Sequence, residues 1–225
     1  MRIEAESDVG AERLRWLLGL DDDHSPFLAL VRNDPLLGPA SRELWGLRPI
    51  RVPTVAQSLL RAFCGQLIEA KVARQLERAI VRSVCAAHPS GLHVSPTTAD
   101  LGALAPSRLR ALGLHAGRAA SLVRLCRSVE LERLRAVPTA TVAARLERER
   151  GLGPWSVGVV CLEGLGRFDA GLVGDLGLVK LLRSLRGRRV EGWETAELLT
   201  PYGEWAGLAS VYLIAGHAHG LVRAA

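Results

Sequence analysis

Lysine is almost absent from this chain. It occurs only as Lys71 and Lys180, so arginine carries nearly all the positive charge. Chemistry that runs through a lysine Schiff base has only those two places to reside. Cysteine is sparse as well. Cys64, Cys85, Cys126 and Cys161 are far apart, each in an apolar stretch of helical character. No CxxC pair or Cys/His cluster suggests a zinc site, and no four-cysteine spacing resembles that of an iron–sulfur cluster. Buried free thiols in a reducing compartment are the reading that remains. The opening MRIEAESDVG has no apolar core, and no run of about 18 apolar residues follows, so neither a leader nor a membrane span is expected. Strand signals, tandem repeats and low-complexity tracts are close to nil, which points to an all-α class.

What is present is a chain of 225 residues, 48% of them apolar, long enough to bury a core as one large domain or two small lobes. The net charge of +6 suits a polyanionic partner, although a basic protein with a solvated cationic face would show the same count. Arginine pairs bidentately with phosphate; genome composition is a second explanation for its excess.

Read in order, Met1 to Asp8 is a polar segment suited to an edge strand or a loose tail. Ala11 to Gly19 patterns as an amphipathic helix. Asp21, Asp22 and Asp23 look like a metal loop, but an acidic helix start with Ser25 and Pro26 as cap and first turn is preferred. Short helices are expected over Pro26–Arg32 and Pro35–Trp45, then a proline-bearing linker. Further helices follow at Val55–Cys64 and Ala70–Ala87, the second with Val72, Leu76, Ile80 and Val84 on one stripe. Thr98–Leu104, Ser107–Leu112 and Ala116–Glu130 continue the series, with Arg118, Arg124 and Arg127 facing solvent. Leu131–Val137 and Thr139–Arg148 come next, the latter capped by Thr139 or Thr141. Glu191–Leu199 and Trp205–Ala215 complete it.

The most informative stretch runs from Leu146 to Leu182. Gly151-Leu152-Gly153 is too tight for a helix interior and allows positive φ and close backbone approach. Pro154 suits the first turn of a new helix, on which Val157, Val160, Cys161 and Leu165 recur. A turn between two helices would leave backbone N–H groups at a helix N-terminus, a seat for a phosphate oxygen. An ordinary helix–helix turn would look the same. Asp169 follows in a loop. Asp175 opens the helix Leu176–Leu185, where an aspartate also serves as N-cap.

GLGPWS followed by D-x5-D-LGL resembles the helix-hairpin-helix DNA glycosylases, and within them the 3-methyladenine DNA glycosylase II, or AlkA, type. The resemblance extends from about Leu20 to about Gly216. It implies a two-lobed, all-α glycosylase core over residues 20–225, with the helix-hairpin-helix at about 139–165. Residues 1–19 would be an N-terminal remnant and first helix. The β-rich lobe that AlkA-type proteins carry is expected to be missing or vestigial.

Several residue roles follow from the resemblance. Asp175 matches the catalytic acid, and Asp169 a loop-ordering one. Trp155 matches the base-pocket tryptophan, with Val159 and Ile214 where AlkA-type pockets carry further aromatics. Phe63-Cys64-Gly65-Gln66-Leu67-Ile68 resembles the segment that meets DNA where the lesion leaves the stack. Gln66 would face the orphaned site and Leu67 would be the wedge; read alone, Leu67 is a core leucine. Gly151, Leu152 and Gly153 would grip DNA backbone. The carbonyls of Glu147, Glu149 and Leu152 would hold a monovalent cation, Na+ or K+, against the phosphate; no other cofactor is required. Glu149 departs from the family, which places an apolar residue there.

The implied activity is that of a monofunctional glycosylase that excises cationic, alkylated purines such as 3-methyladenine from duplex DNA, working as a monomer in the bacterial cytoplasm. A non-catalytic damaged-DNA-binding protein is the alternative from another class. A bifunctional glycosylase/lyase is disfavoured, since such relatives place lysine where Trp155 stands.

Overall fold

A computed structural model describes residues 7–66 and 68–222. No β-strand occurs among them; one isolated bridge pairs Ala87 with His93. The expected segment Met1–Asp8 lies mostly outside the described residues. Ser7 caps the first helix from its side chain and Asp8 begins it.

The helices are α1 (Asp8–Leu17), α2 (Ser25–Val31), α3 (Leu37–Glu43), α4 (Val55–Gly65), α5 (Ala70–Val84), α6 (Thr98–Gly102) and α7 (Pro106–Ala111). They continue with α8 (Ala116–Ser128), α9 (Thr139–Leu146), α10 (Pro154–Val159), α11 (Leu176–Arg186), α12 (Thr195–Leu199) and α13 (Ala206–Ala218). They form two compact units. One is the continuous segment Val52–Leu165; the other joins the described parts of Met1–Arg51 and Gly166–Ala225. Within the second, α1 is tied to the loop ending at Arg51: the Arg51 N–H donates to Leu17 O at 2.9 Å.

In the continuous unit, α4 begins where Thr54 Oγ1 accepts from Gln57 N at 3.1 Å, a side-chain N-cap. Its fully buried Leu59, Leu60 and Phe63 pack into the core with Ile80, Leu101, Leu122 and Leu125. One face of α4 lies antiparallel to α10 and the π-helical turns, Val160–Leu165, that continue it. A Cβ on Gly164 would sit 2.8 Å from Ser58 Cβ, so only glycine fits there. One turn on, Arg61 bonds both Glu77 (Nε–Oε2, 2.9 Å) and Glu163.

The stripe expected on α5 holds at Ile80, while Leu76 and Val84 are half-buried and Val72 is exposed. Ala73, Glu77 and Ile80 are its buried residues, while Val72 is 49% exposed. Glu77 can occupy a core position because Arg61 and Gln57 reach it. Arg124 and Arg127 do more than face solvent. Arg127 donates to the carbonyls of Gly102 and Leu104 at the end of α6. The N-cap of α9 is Pro138 rather than Thr139 or Thr141, and it makes no side-chain cap hydrogen bond.

In the other unit, Asp21 pairs with Arg15, Asp22 with Arg51, and Asp23 Oδ1 accepts from Ser25 N at 2.9 Å. Each acid of that run therefore has a structural partner, and the N-cap of α2 is His24 rather than Ser25, with Pro26 in its first turn as expected. Phe27 sits against Tyr212 and Trp205 (ring centroids 5.2 and 6.0 Å). Gly207 closes on the loop before α11: its N–H donates to Phe168 O at 2.6 Å, and a Cβ would meet Ala170 O at 2.8 Å. Cys64, Cys126 and Cys161 are buried and Cys85 partly so. Burial pushes the Cys64 and Cys126 thiols up to about 12, which makes them inert. No helix among the described residues is long and apolar enough to cross a membrane.

Glu194 anchors the turn before α12. It accepts from Arg188 Nη2 at 2.5 Å, Arg186 Nη1 at 2.6 Å and Glu191 N at 2.8 Å. The Arg188 hydrogen bond, then the Glu191 N–H, hold its carboxyl down at about 2. A depressed folded value means the contribution is present above the unfolded value, 4.5, and lost as pH falls towards about 2. Glu194→Gln is therefore expected to lower stability at neutral pH and to flatten the urea midpoint's fall between about pH 5 and 2. An unchanged acid limb in urea titrations would contradict this.

Candidate functional site

The hairpin between α9 and α10 is held by its carbonyls. Leu152 N donates to Glu149 O at 3.1 Å across a four-residue turn, with Gly151 in third place at φ 91. That conformation favours glycine. Ser121 Oγ donates to Arg150 O at 3.0 Å, and Gln66 Nε2 donates to Gly151 O. The N–H groups of Gly151 and Gly153 have no acceptor among the described residues, and a Cβ on either glycine would meet no atom within 4 Å. The turn thus grips the protein through oxygen and offers nitrogen, the arrangement an anion needs.

Gly153 itself is in extended backbone (φ −130, ψ −172) and is the N-cap of α10. Positive φ is a property of Gly151 alone within this pair. Leu152 is 6% exposed and packs inward, so its side chain anchors the hairpin. Glu149 is accounted for by α8: Arg124 donates to its Oε2 at 2.8 and 3.2 Å. The polar residue at an apolar family position has acquired its own partner.

Two segments that the sequence singled out separately come together here. Gln66, C-cap of α4, also donates to Ser156 Oγ at 3.2 Å. The neighbouring Gly65 lies against the half-buried Trp155, whose Cη2 is 2.7 Å from where a Cβ on Gly65 would stand. Val159 is only 5% exposed and belongs largely to the packed core of α10. Leu67 lies outside the described residues. Ser156 and Gly65 lie within the two quoted motifs, but neither was given a role from the sequence.

In the other unit, Asp175 is the N-cap of α11, its Oδ1 accepting from Gly177 N at 2.7 Å. The loop before it is pinned three times. Asp175 N donates to Leu172 O at 3.0 Å around Gly174 (φ 88), Leu172 N to Ser210 Oγ at 3.0 Å, and Gly174 N to Thr195 Oγ1 at 2.8 Å. Ile214 borders the same point: a Cβ on Gly177 would lie 3.1 Å from Asp175 Oδ1 and 3.2 Å from Ile214 Cγ1. Leu176, directly after the acid, is 51% exposed and is a surface that sequence reading passed over. Asp169 is exposed in its loop. Lys180, Arg183, Arg188 and Arg189 line a shallow basic groove along the end of α11.

Carbonyl oxygens are hard donors of the kind Na+ or K+ takes, and those of Glu147, Glu149 and Leu152 fit that chemistry. The Glu149 carbonyl already accepts from Leu152 N, which leaves it one lone pair for a cation.

No family model matches the chain. The DNA-3-methyladenine glycosylase of Bacillus subtilis is 28% identical over 204 residues, 86% of this chain and 67% of that protein. Among solved structures, the 3-methyladenine DNA-glycosylase of Archaeoglobus fulgidus superposes with a TM-score of 0.81 at 21% identity, over 97% of this chain and 77% of that one. The chain has the helix-hairpin-helix DNA glycosylase fold. The Clostridium acetobutylicum 8-oxoguanine glycosylase/lyase in complex with double-stranded DNA shares this glycosylase fold, at a TM-score of 0.78 and 18% identity, over 92% of this chain and 74% of that one.

The backbone makes the two hairpin glycines unequal. Gly151→Ser forces a side chain into the left-handed region and should cost about 1–2 kcal/mol in urea unfolding. Gly153→Ser places a good N-cap residue in extended backbone and should leave stability unchanged or a few tenths higher. Equal losses for both variants would contradict the turn assignment.

Proposed function

We propose that this protein is a monofunctional DNA glycosylase that removes cationic, alkylated purines such as 3-methyladenine from duplex DNA. The observation that carries this reading is Trp155: an indole, and no lysine, stands on the first turn after the hairpin. The fold alone does not choose, since it is shared by a 3-methyladenine glycosylase and by a glycosylase/lyase. The curated relative from B. subtilis, named DNA-3-methyladenine glycosylase, supports the alkyl-base choice.

In this reading the N–H groups of Gly151 and Gly153 take a backbone phosphate, which fixes register without reading sequence. The carbonyls of Glu147, Glu149 and Leu152 would hold a monovalent cation, which supplies positive charge beside that phosphate. The damaged nucleotide leaves the stack. Trp155 attracts the cationic base by stacking and cation–π contact, worth roughly 0.5–2 kcal/mol. The C1′–N bond then breaks heterolytically. Both electrons leave with the base, whose positive charge is thereby cancelled, and positive charge moves to the sugar. The Asp175 carboxylate stabilises that oxocarbenium. Water adds to C1′ and loses a proton, leaving an intact abasic site. Tryptophan forms no Schiff base, so no strand cleavage follows.

Asp175→Asn tests the acid. Asparagine caps a helix as well as aspartate does, so the fold and DNA binding should persist. Single-turnover base release from an alkylated duplex should fall by about 100-fold or more. Wild-type turnover would overturn the assignment.

Trp155→Ala tests the pocket. Release of 3-methyladenine should fall about ten-fold further than release of neutral hypoxanthine, since a ring face offers a cation quadrupole attraction besides stacking. Equal losses on both bases, with a large drop in melting temperature, would leave Trp155 as a packing residue.

A further inference from the structure

Gly65 has no backbone reason to be glycine. It is the last residue of α4 and is absent from the positive-φ glycines, so an alanine would adopt its conformation and favour the helix. What keeps a side chain out is Trp155. A Cβ on Gly65 would stand 2.7 Å from Cη2, 3.5 Å from Cζ2 and 3.6 Å from Cζ3, the outer edge of the indole's six-membered ring. The crowding at two other glycines differs in kind. Gly207 and Gly38 face backbone carbonyls at 2.8–2.9 Å, which cannot retreat without moving a loop or helix. At Gly65 the obstacle is the tip of one side chain, which can. The next residue reinforces the seat: Gln66 donates to Gly151 O and Ser156 Oγ on either side of Trp155 in sequence, which fixes the backbone from which the indole projects.

We propose that Gly65 is the positioning residue for Trp155: its bare Cα seats the edge of the indole and so sets the ring position on which selectivity for cationic bases depends. The second clause rests on the proposed glycosylase reading; the first does not. A methyl group at position 65 would push the ring from 2.7 Å to ordinary carbon contact, about 3.5–4.0 Å, a shift near one ångström. Displacements of that size are enough to cost up to about 100-fold in a positioned reaction. The backbone at position 65 tolerates alanine, so the indole tip rather than the main chain is what gives way.

The test uses the full chain labelled with 5-fluorotryptophan. There are five tryptophans, and the Trp155 resonance is assigned by its loss in Trp155→Phe. In Gly65→Ala we expect the Trp155 fluorine resonance to move while the other four stay, with the melting temperature unchanged or raised. We expect the single-turnover ratio of 3-methyladenine to hypoxanthine release to fall about ten-fold. In a Trp155→Phe background, where the shorter ring leaves room, Gly65→Ala should have no further effect on the ratio. An unmoved Trp155 resonance overturns the proposal. A moved resonance with an unchanged ratio overturns its selectivity clause, provided Trp155→Ala does change the ratio. If Trp155→Ala also leaves the ratio unchanged, the pocket reading fails and the seat alone stands. Absence of base release from every duplex by the wild-type chain would remove the glycosylase reading, and the fluorine shift would still decide the seat.

Discussion

The antiparallel approach of α4 to α10 and its π-helical continuation is the contact on which the hairpin side of the site depends. Three points on one face of α4 make it. Ser58 meets Gly164, Arg61 bonds Glu163, and Gly65 meets Trp155. Positions 58, 61 and 65 recur at helical spacing, so one face does all three tasks. Two contacts work by omission, a glycine on one helix admitting a side chain of the other. The middle one is electrostatic. Arg61 lies between Glu77 and Glu163, and burial pushes the Glu163 carboxyl up even with that guanidinium beside it. Removing the arginine would leave two carboxylates facing each other in a largely apolar setting, the costly case for buried charge. The contact that seats Trp155 therefore lies one turn of α4 beyond a salt bridge between the same two helices.

Turn chemistry does comparable work at both candidate centres. Gly151 and Gly174 each occupy the third place of a tight turn at positive φ, φ 91 and φ 88. Each turn delivers a functional group to the start of a helix: the hairpin N–H groups before α10, and the Asp175 carboxyl before α11. In both cases side chains from distant helices fix the turn. Ser121 and Gln66 hold the hairpin carbonyls, while Thr195 and Ser210 hold the loop before Asp175. Preorganisation here comes from ordinary neutral hydrogen bonds between segments, each modest in net stability but definite in geometry.

The features legible in the sequence are those governed by local rules. An aspartate before LGLVKLL is an N-cap, and Asp175 is one. A glycine pair followed by proline is a turn into a helix, which is what Gly151 to Pro154 form. Local rules fail where a distant partner decides. Glu77 interrupts the stripe expected on α5 because Arg61, on another helix, pairs with it. Arg124 looked like a solvated arginine and Glu149 like a defect in the hairpin; each explains the other once they are adjacent. The contact of Gly65 was not legible, since its constraint is a ring ninety residues further along the chain. The discontinuous unit was equally hidden, because composition does not change at Arg51 or Gly166.

That discontinuity bears on how the molecule is made. The segment Val52–Leu165 is contiguous and can complete its own core as soon as it leaves the ribosome. Helices α1 to α3 cannot, because Phe27 and Ala40 wait for partners on α13, which follows the whole of Val52–Leu165 in the chain. At synthesis rates of about 5–20 residues per second, that wait is on the order of ten seconds. During it the faces of α2 and α3 that carry Phe27, Val31 and Leu37 are without their final cover, which leaves apolar surface open to misassembly.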